Sequence, residues 1–234
     1  WTDCPKSDFN SIERLNYYRQ THFSSNSTLG AQPLKVSNQN ELGYPENMRF
    51  KKDNIGFITV HVVGSQNNMI KSDLEKMREF SSRNKVNLTW LEESFDVLSD
   101  TDAIVVTLHA NMIKKKRNPL RKLASTIKKD LKLALSYKTY KTLYEDITIK
   151  VPYYTFKLPY RDIGGSIQKH SFNYKKPVLI LHGDTHRHNI LKPTENFPYL
   201  HVIETFGTPR IKAIEIAIRP KSKNPFKVEQ IIEP

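Results

Sequence analysis

The chain has 234 residues, 37 Lys and Arg against 24 Asp and Glu, and a formal net charge of +13. The single Cys4 excludes an internal disulfide framework, and the lack of any run of about 18 apolar residues excludes a membrane-spanning helix. The basic balance favours phosphate-bearing or anionic partners, nucleic acid among them, although solvated charged faces account for it at least as readily. It leaves the compartment open between cytoplasmic and periplasmic or secreted.

Residues 1–54 read as largely irregular. A short helix is predicted over Ser11–Arg19, with Ser11 as N-cap and Ile12, Leu15 and Tyr18 on one face, and residues 20–54 read mostly as loop. The β-branched run 55–64 predicts a buried strand. Residues 71–83 predict a helix with Leu74, Met77 and Phe80 inward. Thr89 and Glu92 have the spacing of a capping box, and Leu88, Leu91, Phe95 and Leu98 follow at helical intervals. Asp102–His109 then predicts a second apolar strand, which ends on His109.

Residues 113–141 carry eleven Lys or Arg against one acid, Asp130, with Leu120, Leu123, Ile127, Leu131 and Leu135 on one stripe. That pattern predicts an amphipathic helix with a basic outer face. Residues 147–159 read as extended. Pro177–His182 predicts a third strand, and Tyr199–Phe206 with Ile211–Ile218 predicts a hairpin turned by Gly207-Thr208-Pro209. The alternation of strands and helices argues for an α/β fold.

The pentapeptide His182-Gly183-Asp184-Thr185-His186 places two imidazoles and a carboxylate at a strand's C-terminal end, where open α/β sheets bind ligands. Such mixed His and Asp sets suit divalent metals. If the strands ending on His109 and His182 are neighbours, His109, Asp184 and His186 come within coordination reach. His182 takes the last strand position, which serves either the core or the surroundings of a metal. His61 lies within a strand and reads as structural or supporting. The polar run Gly64–Asn68, with Asn67 in it, either lines a phosphate site through its amides or is an ordinary turn.

The strings WLEESFDVLSDTDAIVVTLHANM (90–112) and PVLILHGDTHRHNILKP (177–193) resemble the later motifs of calcineurin-like metallophosphoesterases, in the subgroup with Asp at the first position of the final motif. The opening WTDC with IERLNYYR, and the later HVVGSQNN and VIETFG, resemble the same subgroup. The resemblance implies one phosphoesterase domain over 1–234, a β-sandwich flanked by helices, with the basic helix 113–141 within it. It implies metal-dependent hydrolysis of a phosphate monoester or diester by an activated water, with two divalent ions of which Mn, Zn and Fe are not distinguished. His109 and Asp184 would hold one ion and His186 would help hold the other.

Three earlier motifs of that family are not found: an Asp-x-His, a Gly-Asp, and a turn bearing an Asn ligand. The resemblance is therefore to a C-terminal portion. It implies a sheet without its first strands, a need for an N-terminal segment of the same protein, and little or no activity from residues 1–234 by themselves. The alternative reading, from another class, is a non-catalytic anion- or nucleic-acid-binding module that uses the basic helix.

Overall fold

In a computed structural model, residues 11–115, 154–194, 197–209 and 212–231 are described. The contacts divide the chain into two units: residues 1–112 with 158–234, and residues 113–157. In the second unit, β5 (Ile113–Lys115) pairs antiparallel with β6 (Tyr154–Phe156). The rest of the predicted basic helix 113–141 lies outside the described residues, as does most of the extended segment 147–159.

The first unit is mixed α/β. Four parallel strands form the middle of a seven-stranded sheet: β3 (Ile55–Thr59), β4 (Ala103–Thr107), β7 (Val178–His182) and β9 (Leu200–Glu204), in that order. β2 (Tyr44–Lys52) and β1 (Ser37–Gln39) add antiparallel on one side, and β8 (Asn189–Leu191) adds antiparallel to β9 on the other. Among the described residues no strand pairs with the outer edge of β1 or of β8.

Period-two alternation explains how both sheet faces are covered. Ala103, Val105, Leu179 and Ile203 cluster with Ile55 and Phe226, backed by Ile214, Ile216 and Val228. That face is therefore roofed by the antiparallel pair β10 (Ala213–Ile218) and β11 (Phe226–Ile231). Ile58, Ile104, Val106 and Ile180 alternate to the opposite face and are almost wholly buried. There a Cβ on Gly56 would stand 3.0 Å from Leu98 Cδ1, just past helix α2 (Leu74–Val97), and Trp90 Nε1 donates to Thr59 O at 3.1 Å. Helix α3 (Arg161–Tyr174) packs beside it, with His170 stacked on Phe95 at 5.0 Å. Burying each Ile or Leu of these layers is worth about 1.5–3 kcal/mol.

Several elements differ from the sequence reading. Residues 20–54 are not mostly loop, because they contain β1 and the nine-residue β2. In β2 polar residues such as Glu46 and Asn47 break the apolar signal, yet both have partners: Asn47 Nδ2 donates to Gln39 Oε1 and Asn87 Oδ1 at 2.8 and 2.9 Å. The predicted helix 71–83 and the helical spacing of Leu88, Leu91, Phe95 and Leu98 belong to one continuous helix capped by Asp73, whose side chain accepts from Lys76 N; Thr89 and Glu92 lie inside it. Leu74 is exposed, while Arg83, Asn84 and Asn87 take inward positions. The predicted hairpin is re-partnered: Leu200–Glu204 belongs to the main sheet beside β7, and Ala213–Ile218 pairs instead with Phe226–Ile231. Helix α1 runs Ser11–His22, with Ile12 and Tyr18 of its apolar face about half exposed.

Candidate functional site

The C-terminal ends of the four parallel strands converge at one edge of the sheet. Beyond β3 the chain continues extended through Val60 and Val62, both buried, and the Val62 carbonyl accepts from the N–H groups of His109 and Ala110, each at 3.2 Å. His109 O accepts from Gly183 N at 3.4 Å, and His182 O accepts from Thr205 N at 2.8 Å. Backbone bonds thus tie the loops after β3, β4, β7 and β9 to one another before any side chain is considered. Such an edge is where ligands bind in parallel sheets.

His109 and Asp184 meet there. Nε2 of His109 lies 3.7 Å from Oδ1 of Asp184, and the other carboxylate oxygen accepts from Asn111 N at 2.9 Å. The imidazole is 59% exposed and the carboxylate 23%, so the pair opens to solvent. Gly64 lies against the same atoms: a Cβ there would stand 2.7 Å from Asp184 Oδ1 and 3.5 Å from His109 Nε2. Only a residue without a side chain leaves this space open.

His186 does not join them. Its backbone is left-handed (φ 60°), its Nδ1 lies 2.7 Å from Thr208 O, and its ring lies on Gly207, where a Cβ would come within 2.7 Å of Cδ2. His182 is buried and pairs in register with Glu204. Glu204 is buried too, and its Oε1 accepts from Thr185 N at 2.7 Å and from Thr185 Oγ1. This carboxylate fixes the turn that presents Asp184. A charged residue at the end of an apolar strand, Leu200–Glu204, was the available signal for it.

His61 belongs to a separate polar cluster. Its Nδ1 is 2.5 Å from Glu46 Oε1, and Glu46 also takes Arg19 Nε and Nη2 at 3.0 and 2.6 Å. Burial acts to raise the Glu46 carboxyl, but the bonds from His61 and Arg19 outweigh it and hold it down at about 2.

The segment Ser65–Asn68 has four consecutive non-glycine residues with positive φ, at 46°, 61°, 54° and 62°. A left-handed run costs about 1–2 kcal/mol per residue, so its surroundings must enforce it. The fully buried Arg83 supplies much of that: Nη1 donates to Asn67 Oδ1 at 2.6 Å and Nη2 to Asn67 O at 3.0 Å. Asn68 Nδ2 donates to Glu79 Oε2 at 2.8 Å, and Glu79 Oε1 in turn accepts from Arg83 Nε at 2.6 Å. Tyr160 OH donates to Val63 O at 3.2 Å, and the backbone N–H groups of Gln66 and Asn67 act on its phenol. Burial and the negative charge of Asp184 push this phenol up to about 12, while those two N–H groups oppose the rise. The Asn67 side chain that the sequence offered to a phosphate is spent on Arg83 and Val63 N. Arg83 and Tyr160 carry no motif that marks them in the sequence.

Two donors each about 2 Å from a shared divalent ion can span the 3.7 Å between His109 and Asp184, and the bare Gly64 leaves room beside them. The donor types and spacing fit one metal ion. Among the described residues no group of three or more His, Cys, Asp or Glu is disposed to hold a metal. No helix of the described residues is long and apolar enough to cross a membrane. A cleft of about 760 Å³ lies elsewhere, between β1 and α2, lined by Lys35, Gln39, Arg49, Lys85, Trp90 and Glu93. No protein-family model and no curated protein sequence matches the chain.

Proposed function

We propose that the chain carries part of a metal-dependent phosphoesterase site of the calcineurin-like type, with His109 and Asp184 as ligands to one divalent ion. The observation that supports this most is the open His109–Asp184 pair over the bare Gly64, at the C-terminal edge of a parallel sheet. The sheet with a helical layer on one face and a β-hairpin on the other is compatible with the sandwich such enzymes have. A metal bound there would act as a Lewis acid and activate water for attack on phosphorus. The protein's own part is to hold Asp184 through Asn111 N, to seat the loop through Glu204, and to keep the site open to a phosphate ester. The remaining ligands would come from a further segment of the same protein. His186, whose Nδ1 rests on Thr208 O, would offer its other ring nitrogen, Nε2, to the second metal's shell.

The test is a calorimetric titration of inorganic phosphate with and without Mn²⁺. Phosphate binding that requires Mn²⁺ and is lost in Asp184→Asn is expected. Binding that ignores both Mn²⁺ and Asp184 and falls steeply with salt would instead favour an anion-binding module driven by the basic surface. Turnover of p-nitrophenyl phosphate by residues 1–234 should be slow. Rapid turnover abolished by His186→Ala would overturn the incomplete site.

A further inference from the structure

Gly64 can lie against Asp184 and His109 only if the loop after β3 follows one particular path, and Arg83 holds both ends of that path. Nη1 donates to His61 O at 3.1 Å, where the loop leaves the strand, and also to Asn67 Oδ1 at 2.6 Å, in the left-handed turn. Nη2 reaches Asn67 O at 3.0 Å. The guanidinium is completely buried, and Glu79 fixes its third nitrogen at 2.6 Å. A planar fork with five donors in fixed directions can meet two separate backbone carbonyls, a side-chain amide and the Glu79 carboxylate at once, more acceptors than the three donors of a lysine serve. Between these anchors lies Gly64. Tyr160 holds the loop from the other side, through Val63 O.

We infer that Arg83 is a positioning residue of the His109–Asp184 site: it clamps residues 61–67 so that Gly64 stands against Asp184 and leaves the pair its open space. Its partner in this role is Tyr160. Neither touches His109 or Asp184 in the bonds described, so both act through the loop. The inference takes its functional meaning from the metal site proposed above, but the geometric half is testable without any metal.

The experiment records amide NMR spectra of wild type, Arg83→Met and Tyr160→Phe, and Mn²⁺ affinity by calorimetry for each. Phe95→Leu, on the same helix but under the sheet, is the control for general destabilisation. Expected is that Arg83→Met moves the Gly64 and Asn111 amide signals and weakens Mn²⁺ binding at least tenfold. Tyr160→Phe should move the same signals by less, and it carries the test by itself if Arg83→Met does not fold. Phe95→Leu should lower the melting temperature and leave the Gly64 and Asn111 signals and the Mn²⁺ affinity in place. Unmoved Gly64 and Asn111 signals in the folded variants, or equal movement in Phe95→Leu, would overturn the inference. If these signals move but wild type binds no Mn²⁺, the positioning stands and the metal-site reading falls.

Discussion

Gly64 stands directly against Asp184: a single added methyl would lie 2.7 Å from the carboxylate oxygen that faces His109. The contact joins the loop after the first parallel strand to the loop after the third, across β4, with His109 two residues past that strand's end. It couples the backbone path at residue 64 to the His109–Asp184 pair.

Gly64→Ala should therefore separate fold from site. The φ at Gly64 lies outside the left-handed range, so alanine fits the backbone, and the clash is relieved by rotation of the Asp184 carboxylate. The melting temperature should change by only a few degrees, while Mn²⁺ affinity falls at least tenfold. Calorimetry and thermal unfolding on one preparation check both halves.

Gln66→Gly should stabilise the protein. Gln66 is exposed with φ 61°, a conformation that costs about 1–2 kcal/mol for a side-chain-bearing residue and little for glycine. Glycine's greater unfolded entropy offsets roughly half of the gain, leaving about 0.5–1 kcal/mol. Urea unfolding should show a higher midpoint at unchanged slope. A lower midpoint would mean that the turn is enforced through the Gln66 side chain.

Glu46→Gln should alter the acid stability profile. The folded carboxyl, set against burial and held by His61 and Arg19, titrates near 2, well below its ordinary 4.5. The unfolded state therefore takes up a proton first as the pH falls. The stabilisation is fully present above about 4.5 and is lost progressively as pH drops through about 2. The variant should be about 1–3 kcal/mol less stable at pH 7 and flatter between pH 4.5 and 2, as read from urea midpoints. A variant profile parallel to wild type would show that the ionised Glu46 contributes nothing.

His201 adds a second pH effect of its own. Burial alone depresses its imidazole to about 4, and its ring meets Phe226 edge-on at 5.0 Å, under the β10–β11 layer. A histidine buried neutral contributes stability above its unfolded value of about 6.5, which is lost as pH falls from there through about 4. An NMR titration of the His201 ring should find its midpoint well below 6. A midpoint near 6.5 would mean that the β10–β11 layer opens to water around it.

The buried strands were legible in the sequence because β-branched runs announce them, and β7 ends on His182 as expected, whereas β3 and β4 stop at Thr59 and Thr107, short of the expected residue 64 and His109. That β4 and β7 are neighbours, which brings His109 to Asp184, follows from pairing and not from any local pattern. β2 was not legible, since its Glu46, Asn47 and Arg49 satisfy one another's polar groups with Arg19, Asn87 and Ser94 across up to 45 residues of sequence. Arg83 was hidden for the same reason: a buried cation reads as surface until its partners in the Asn67 turn are known. The split of α2 into two helices came from giving Thr89 and Glu92 a capping role that Asp73 fills.

The most direct measurement is the anomalous difference map of a crystal soaked in Mn²⁺. The account predicts a manganese peak between His109 Nε2 and Asp184 Oδ1, above Gly64, that vanishes in Asp184→Asn. A map with no peak there, or one whose only manganese lies away from both residues, would contradict it.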